Sequence, residues 1–383
     1  MLNFSINLKN FYRKQHNEKI KKNLKNLLLN NNHVLKSLSS KYVNNYNLKK
    51  LKKIIGKDSV RLIGMGGSIL GAQAIYNFLQ HKIKKKFFFI NNLETKHEAK
   101  KSKFANLIVS KSGNTLETIS NANILIKKKD KNIFITEKKN SYLFNLAQKL
   151  KAEIISHNNY IGGRYSVLSE VGMLPAELMG FNSNNFRKLN ELVKDKNFLK
   201  LLVSNVSSIL YYLKKRSFNS IIINYDNKSN YLFQWYQQLV AESLGKKGKG
   251  IMPIISSMPK DNHSLMQLYL DGQKNNFFTF FYCRDKNSDK LNSKLLSSHK
   301  YLKNIKIKDI LLKQKNATEN VFIKKKIPFR SFDLKFRDEK TIGQLFCYFI
   351  LETILLGQAL NVNPYDQPSV ELIKKETKKL FFK

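Results

Sequence analysis

A chain of 383 residues with 42% hydrophobic content has room for two domains with substantial cores, and its composition sets several function classes aside. The net charge of +42 invites a nucleic-acid partner. Yet the lysines spread over the whole length and travel with Asn, Ile and Phe, which share A/T-rich codons, while Arg, whose planar fork nucleic-acid sites favour, is scarce. The charge is read as genome bias, and no nucleic-acid function is expected. Cys283 and Cys347 form neither a C-x-x-C pair nor a metal spacing, and the seven histidines include no H-E-x-x-H. The apolar run Phe346 to Leu360 is broken by Glu352 and Gln358, as in a buried helix rather than a membrane span. With no apolar signal core at the N-terminus, the expectation is a soluble cytoplasmic protein in a reducing compartment, without metal or membrane partner.

Residues 1–50 are Lys- and Asn-rich with sparse apolar positions such as Leu24, Leu27, Leu28 and Leu35, which reads as a polar helical arm leaning on a neighbour. Ser59 to Gly64 is the first strand and runs into Met65, Gly66, Gly67 and Ser68, then a helix through Ala72, Ala74, Ile75 and Phe78. Gly66 and Gly67 let backbone approach a ligand closely, and Ser68 stands at the helix start. The G-x-G-x-x-G fingerprint is not matched, so a plain strand–turn–helix and a ligand loop both remain open here. Strands follow at Phe87–Asn91, Leu107–Val109 and Asn132–Thr136, separated by helical pattern, which argues for a doubly wound parallel sheet.

The strand Leu107–Val109 empties into Ser110, Lys111, Ser112, Gly113, Asn114 and Thr115, and the pattern then turns helical at Leu116, Ile119 and Ala122. Hydroxyls and free N–H groups at a helix N-terminus make an anion site, most naturally for a phosphate, although Ser and Thr also serve as ordinary caps. Because this turn and Gly64–Ser68 both lie at carboxyl ends of strands, they can face one pocket. Arg164 follows two glycines, which presents it either to a ligand or to solvent. A second, shorter α/β unit begins at Ser220–Tyr225, continues at Gly250–Ile255 and adds Phe277–Tyr282. Within it Gln234, Gln238 and Glu242 share one helical face, and a carboxylate near a helix C-terminus suits a proton acceptor, though a solvated Glu fits as well. His263 opens another helix as a cap, a packing residue or a catalyst. A long apolar helix, Ile342–Leu360, precedes a proline-bracketed connector through Gln367. In the last helix Val370, Ile373, Thr377 and Leu380 form an inward stripe with Lys374 on its edge.

Six segments in order resemble the glucose-6-phosphate isomerase family, built from two sugar-isomerase (SIS) domains. They are G-M-G-G-S-I-L-G at Gly64–Gly71, S-K-S-G-N-T-L-E-T at Ser110–Thr118, G-G-R-Y-S at Gly162–Ser166, E-S-L-G-K at Glu242–Lys246, H-S-L-M-Q-L at His263–Leu268 and N-P-Y-D-Q-P-S-V-E-L-I-K at Asn363–Lys374. The resemblance covers about residues 59 to 375. It implies an α/β protein with an N-terminal helical arm (1–50), a first SIS domain carrying the phosphate cradle (51–181), a second SIS domain (182–335) and a C-terminal helical segment that completes the site (336–383). It also implies interconversion of glucose 6-phosphate and fructose 6-phosphate through a cis-enediolate, a step of glycolysis and gluconeogenesis, without cofactor. The variants kept open are an enzyme that also isomerises mannose 6-phosphate and a noncatalytic SIS module that senses phosphosugars.

By motif, the resemblance makes Glu242 the base between C2 and C1, Arg164 the cation facing the enediolate, and His263 and Lys374 the ring-opening pair. It further implies a homodimer in which His263 arrives from the partner subunit. Ser110, Lys111, Ser112 and Thr115 belong to the phosphate cradle, Gly67 and Ser68 border the sugar, and Gln238 and Gln367 line the same pocket. Two departures are visible: Ser112-Gly113-Asn114-Thr115 where many members carry T-F-T-T, and Ser369 where glycine is common.

Overall fold

The computed structural model describes residues 6–12, 15–30, 32–95, 103–296 and 298–382. Among these residues ten strands run in chain order: β1 (Ile6–Lys9), β2 (Ser59–Gly64), β3 (Phe87–Ile90), β4 (Phe104–Val109), β5 (Lys131–Thr136), β6 (Glu153–Ser156), β7 (Asn219–Asn224), β8 (Met252–Ser257), β9 (Asn276–Cys283) and β10 (Phe329–Leu334). They form two five-stranded sheets, ordered β3-β2-β4-β5-β6 and β1-β10-β9-β7-β8. All pairings are parallel except that of β1 with β10. Helices cover both faces, so central strands such as β4, β7 and β9 are nearly continuous apolar runs, buried along their length.

Three strands lie outside the expected set. β1 sits in the Lys/Asn-rich arm, β6 is a four-residue, half-buried edge, and β10 is interrupted by Arg330 and Asp333, so none carries the apolar run that marks a central strand. The arm is therefore helical at Glu18–Leu29, His33–Leu38 and Leu48–Ile55 but also lends a strand to the second sheet. Its tyrosines reach buried carboxylates: the Tyr42 hydroxyl donates to Glu170 at 2.9 Å and that of Tyr46 to Glu177 at 2.7 Å.

Each sheet changes winding direction at one place, where neighbouring strands leave a crevice at their carboxyl ends. In the first sheet that place lies between β2 and β4, the strands that lead into Gly64–Ser68 and Ser110–Thr115. In the second it lies between β7 and β9, and it is filled from within. Arg337, just after β10, donates to Asp226 after β7 at 2.8 and 3.1 Å and to Asp285 after β9 at 2.9 Å.

The helix Glu339–Ala359 runs through the middle and is buried without interruption from Thr341 to Gly357. Among the described residues it is the one helix long and apolar enough to cross a membrane, and 89% of that apolar window is buried inside the protein. Glu352, the residue that breaks its apolar run, meets Arg330 of β10, with Tyr348 donating to the same carboxylate at 3.0 Å. Arg330 also donates to Thr279 at 3.0 Å. The last helix, Val370–Leu380, differs from expectation. No residue in it is buried, and Ile373 and Leu380 of its apolar stripe are 71% and 68% exposed, because a single chain offers that stripe nothing to pack on.

Both side chains of the Arg330–Glu352 pair are 1% exposed, so removing one partner strands a buried charge. Glu352→Gln should lower unfolding free energy by about 3–5 kcal/mol, whereas Arg330→Met with Glu352→Leu should cost much less. Urea denaturation of the two variants checks this, and equal losses would count against a charge-driven effect.

Candidate active site

Close backbone packing builds the first wall. After β2 the chain makes a single 3-10 turn, Gly66–Ser68, and Gly66 adopts φ +51°, where side chains are disfavoured. A Cβ on Gly66 would come within 2.6 Å of the Gln238 amide nitrogen. One on Gly67 would lie 2.2 Å from the carbonyl carbon of Gly163 and 2.5 Å from the nitrogen of Arg164. The glycines thus let the β2 turn touch both the Gly163–Leu168 turn and the helix Asn230–Leu244. Ser68 stands half-buried at the end of this turn.

The neighbouring turn after β4 is folded around its hydroxyls. Ser110 Oγ lies 3.0 Å from Thr115 Oγ1 and accepts the Gly113 N–H at 3.2 Å. Gly113 has φ +70°, and a Cβ there would fall 2.1 Å from Ser141 Oγ. Asn114 accepts from the Tyr142 N–H at 2.9 Å and gives its own N–H to Ser112 Oγ at 3.2 Å. Thr115 is the N-cap of the helix Leu116–Leu125, but its side chain makes no capping bond. The first-turn N–H groups therefore carry no side-chain acceptor, and Thr118 Oγ1 in that turn is buried without a partner among the described residues. This is the arrangement that receives an anion. Lys111 points aside: its Nζ donates to the Asn159 carbonyl at 2.7 Å and lies 3.9 Å from Glu137, and burial lowers its pKa. Behind the turn His157 is buried, which pushes its pKa down to about 4, and its Nε2 has no described partner.

The second wall centres on Arg164, buried although charged. All its donor nitrogens are engaged. Nε donates to Ser243 Oγ at 2.8 Å, Nη1 to Glu242 Oε2 at 3.1 Å and Gln367 Oε1 at 2.7 Å, and Nη2 to the carbonyls of Pro364 and Asp366 at 2.7 and 3.0 Å. The Trp235 indole fixes the Arg164 carbonyl at 3.1 Å. The other oxygen of Glu242 accepts from Gln238 Nε2 at 2.8 Å, the i,i+4 neighbour on the same helix face. Gln238 Oε1 is buried with no described partner. Glu242 is thus held on both oxygens yet keeps 28% of its side chain exposed, beside a fixed positive charge. Such a pair can accept a proton from carbon and stabilise the oxyanion that forms.

Arg164, Glu242, Gln238, Gln367 and Gly67 come together in one chain. His263 and Lys374 do not join them. His263 is exposed after a 3-10 turn, its ring without a described hydrogen bond, and Lys374 is 62% exposed and pairs with Glu371 at 2.6 Å. Three residues not singled out in the sequence belong to the wall. Ser243 links Arg164 Nε to the Tyr165 hydroxyl at 2.8 Å, Tyr165 also donates to the Pro364 carbonyl at 2.9 Å, and Lys246 reaches Asp366 at 3.0 Å. Burial raises the Tyr165 hydroxyl to about 12, which keeps it a donor. Ser243 and Lys246 flank Glu242 in E-S-L-G-K, the one signal that pointed to them.

A pair of doubly wound, largely parallel sheets, with a hydroxyl-rich turn at one open switch point and a carboxylate–guanidinium pair packed on the neighbouring glycine turn, is the arrangement of the sugar-isomerase class. The sequence profile of the phosphoglucose isomerase family matches residues 8–281, and the chain belongs to this family. It is 32% identical over 354 residues to the glucose-6-phosphate isomerase of Methanocaldococcus jannaschii, covering 86% of each chain. Among solved structures, a hypothetical protein from Thermus thermophilus shares the fold with TM-score 0.82 at 22% identity, covering 95% of this chain and 94% of that one. A glucose-6-phosphate isomerase from Chlamydia trachomatis shares it with TM-score 0.73 at 17% identity, over 91% of this chain and 78% of the other.

The contact at Gly67 gives a direct test of the first wall. Gly67→Ala should destabilise by about 1–3 kcal/mol through overpacking against Gly163. Gly163→Ala, whose Cβ would meet Gly67 Cα at an ordinary 3.9 Å, should stay within about 0.5 kcal/mol of the parent. Thermal or urea unfolding of both variants decides it.

Proposed function

We propose that the chain interconverts glucose 6-phosphate and fructose 6-phosphate through a cis-enediolate, with Glu242 moving the proton between C2 and C1. The observation that carries the reading is Glu242 held 3.1 Å from the buried Arg164 and 2.8 Å from Gln238, beside the glycine turn, in a member of the phosphoglucose isomerase family. Ser110, Ser112 and Thr115, with the N–H groups of the following helix turn, anchor the unreacting phosphate; Lys111, its Nζ turned to the Asn159 carbonyl, adds only longer-range positive charge. Gly67 and Ser68 border the sugar, and Gln238 and Gln367 line the pocket.

In the reading, the ring opens first: the C1–O5 bond breaks, O5 takes a proton and the C1 hydroxyl gives one up. His263 of a second subunit and Lys374 serve as the acid/base pair. Glu242 then removes the proton from C2, whose bonding electrons form C1=C2 while charge builds on the two enediolate oxygens beside Arg164. Return of that proton to C1, with transfer of the C2 hydroxyl proton to O1, restores a carbonyl at C2 and gives the ketose. Exposed His263 and the uncovered apolar stripe beside Lys374 are what a homodimer would use, each subunit completing the other. With Cys283 and Cys347 buried as free thiols, the reading keeps the chain in a reducing, cytoplasmic setting. A sensor would need the anion turn alone, so the Glu242–Arg164 pair favours catalysis over that alternative.

Glu242→Gln keeps size and hydrogen bonding but cannot take the proton, so turnover should fall by about two to four decades with little change in substrate affinity. A coupled assay from fructose 6-phosphate measures it, and retention of more than about a tenth of the turnover would remove Glu242 as the base. The same assay with mannose 6-phosphate shows whether the C2 epimer is handled.

The shared site predicts complementation. Unfolding, mixing and refolding inactive Glu242→Gln and His263→Ala chains should give heterodimers with one pocket that lacks both groups and one that is intact. Activity should recover to roughly a quarter of the wild type, as random pairing of two-fold dimers requires. No recovery in heterodimers confirmed by mass would put His263 in its own subunit's pocket or outside the site.

A further inference from the structure

Between Ala359 and Val370 the chain has no helix or strand, yet this connector supplies three of the five acceptors that hold Arg164: the carbonyls of Pro364 and Asp366 and the amide oxygen of Gln367. The alignment of the guanidinium on Glu242 therefore depends on what holds the connector. Part of the hold is neutral: Asn32 donates to the Tyr365 hydroxyl at 2.6 Å, Tyr165 to the Pro364 carbonyl at 2.9 Å, and Asn363 to Asp366 Oδ2 at 2.9 Å.

The charged part is Lys246, with only 10% of its side chain exposed. Its ammonium has three donors and three acceptors: the Ser243 carbonyl at 3.0 Å, the Asn363 carbonyl, and Asp366 Oδ1 at 3.0 Å. The hydrogen bond from Lys246 holds the Asp366 carboxyl below the usual range. The Ser243 carbonyl is one of the unpaired acceptors at the end of the helix Asn230–Leu244, where a cation is favoured. Ser243 also accepts Arg164 Nε through its hydroxyl, so one residue ties both cations to the helix turn that presents Glu242.

We propose that Lys246 is a positioning residue for the isomerisation: its ammonium clamps Asn363 and Asp366 to the end of the Glu242 helix, and so sets Arg164 in register with the base. With all three donors spent, it acts through Arg164 and makes no contact with substrate. The proposal rests on the isomerase reading above.

The test is steady-state kinetics on fructose 6-phosphate with Lys246→Met, Lys246→Arg, Asp366→Asn and the double variant Lys246→Met/Asp366→Asn, each with a thermal unfolding midpoint. A small misplacement of a catalytic pair costs about ten- to a hundredfold, so Lys246→Met should lose that much kcat with KM within about threefold. Lys246→Arg, which keeps charge and donors, should recover most of the loss. The double variant should lose about as much as Lys246→Met alone, because the two groups act as one clamp. Unchanged kcat in Lys246→Met, a loss confined to KM, additive losses in the double variant, or a lowered midpoint with no recovery in Lys246→Arg would each overturn the role. A wild-type chain inactive on fructose 6-phosphate would instead overturn the isomerase reading and this inference with it.

Discussion

A buried guanidinium is tolerable only when its charge and every N–H are compensated, and Arg164 meets that condition with five acceptors from two distant segments. Ser243 and Glu242 end one helix, Gln367 and two carbonyls come from the connector, and Arg164 itself rides on a turn pressed against Gly67. The ring of Tyr165 lies 5.2 Å from the guanidinium and closes its remaining face. Satisfying this one cation obliges the turn after β6, the helix after β7 and the C-terminal connector to meet at one point. A carboxylate left partly open at that point is placed by the same requirement. Fold and chemistry therefore share a single constraint, and loosening either the helix end or the connector would leave a desolvated charge short of partners.

The two sheets show how little of a site resides in topology. Both have an open order with one reversal, and both present strand ends there. After β2 and β4 come glycines and hydroxyls, which leave space and donors. After β7 and β9 come Asp226 and Asp285, which take up Arg337 and leave neither. The helix that follows β7 instead meets the glycine turn after β2 through Gln238, one turn before Glu242. The hydroxyl-rich turn follows β4 of the first sheet, and Glu242 ends the helix that follows β7 of the second, so the two features come from different sheets.

How much of this was legible in the sequence follows from range. β4 and β9 are continuous apolar runs, and the i,i+4 pairing of Gln238 with Glu242 is local, so both can be read directly. β10 escaped because its polar Arg330 is balanced by Glu352, 22 positions away. The contacts of Arg164 were not readable locally for the same reason: Gln367 lies 203 residues on, and only the resemblance of the motifs put it and Glu242 in one pocket with Arg164. Tyr165 and Lys246 belong to residue types that surfaces use freely, and their contacts set them apart, Tyr165 on Ser243 and the Pro364 carbonyl and Lys246 on Asp366. For the last helix the amphipathic stripe was readable, but its exposure in the fold is not encoded locally.

The same distinction between local and long-range demands explains the charge. The sequence has eight arginines among its 69 basic residues, and Arg164, Arg187, Arg330 and Arg337 are all buried. Among the described lysines only Lys315 is buried, held by Glu319 at 2.9 Å and Asp333 at 2.5 Å. Each buried arginine spreads its fork over several acceptors: Arg187 takes the Tyr42 and Leu168 carbonyls, and Arg337 bridges two aspartates. A lysine offers one point charge on a flexible stem and cannot replace that geometry. Lysine has therefore accumulated where exposure makes the cation nearly interchangeable, and arginine remains where several acceptors must be held in fixed directions. On that division the large net charge describes the solvent-facing shell, and the few arginines mark the framework that holds the site.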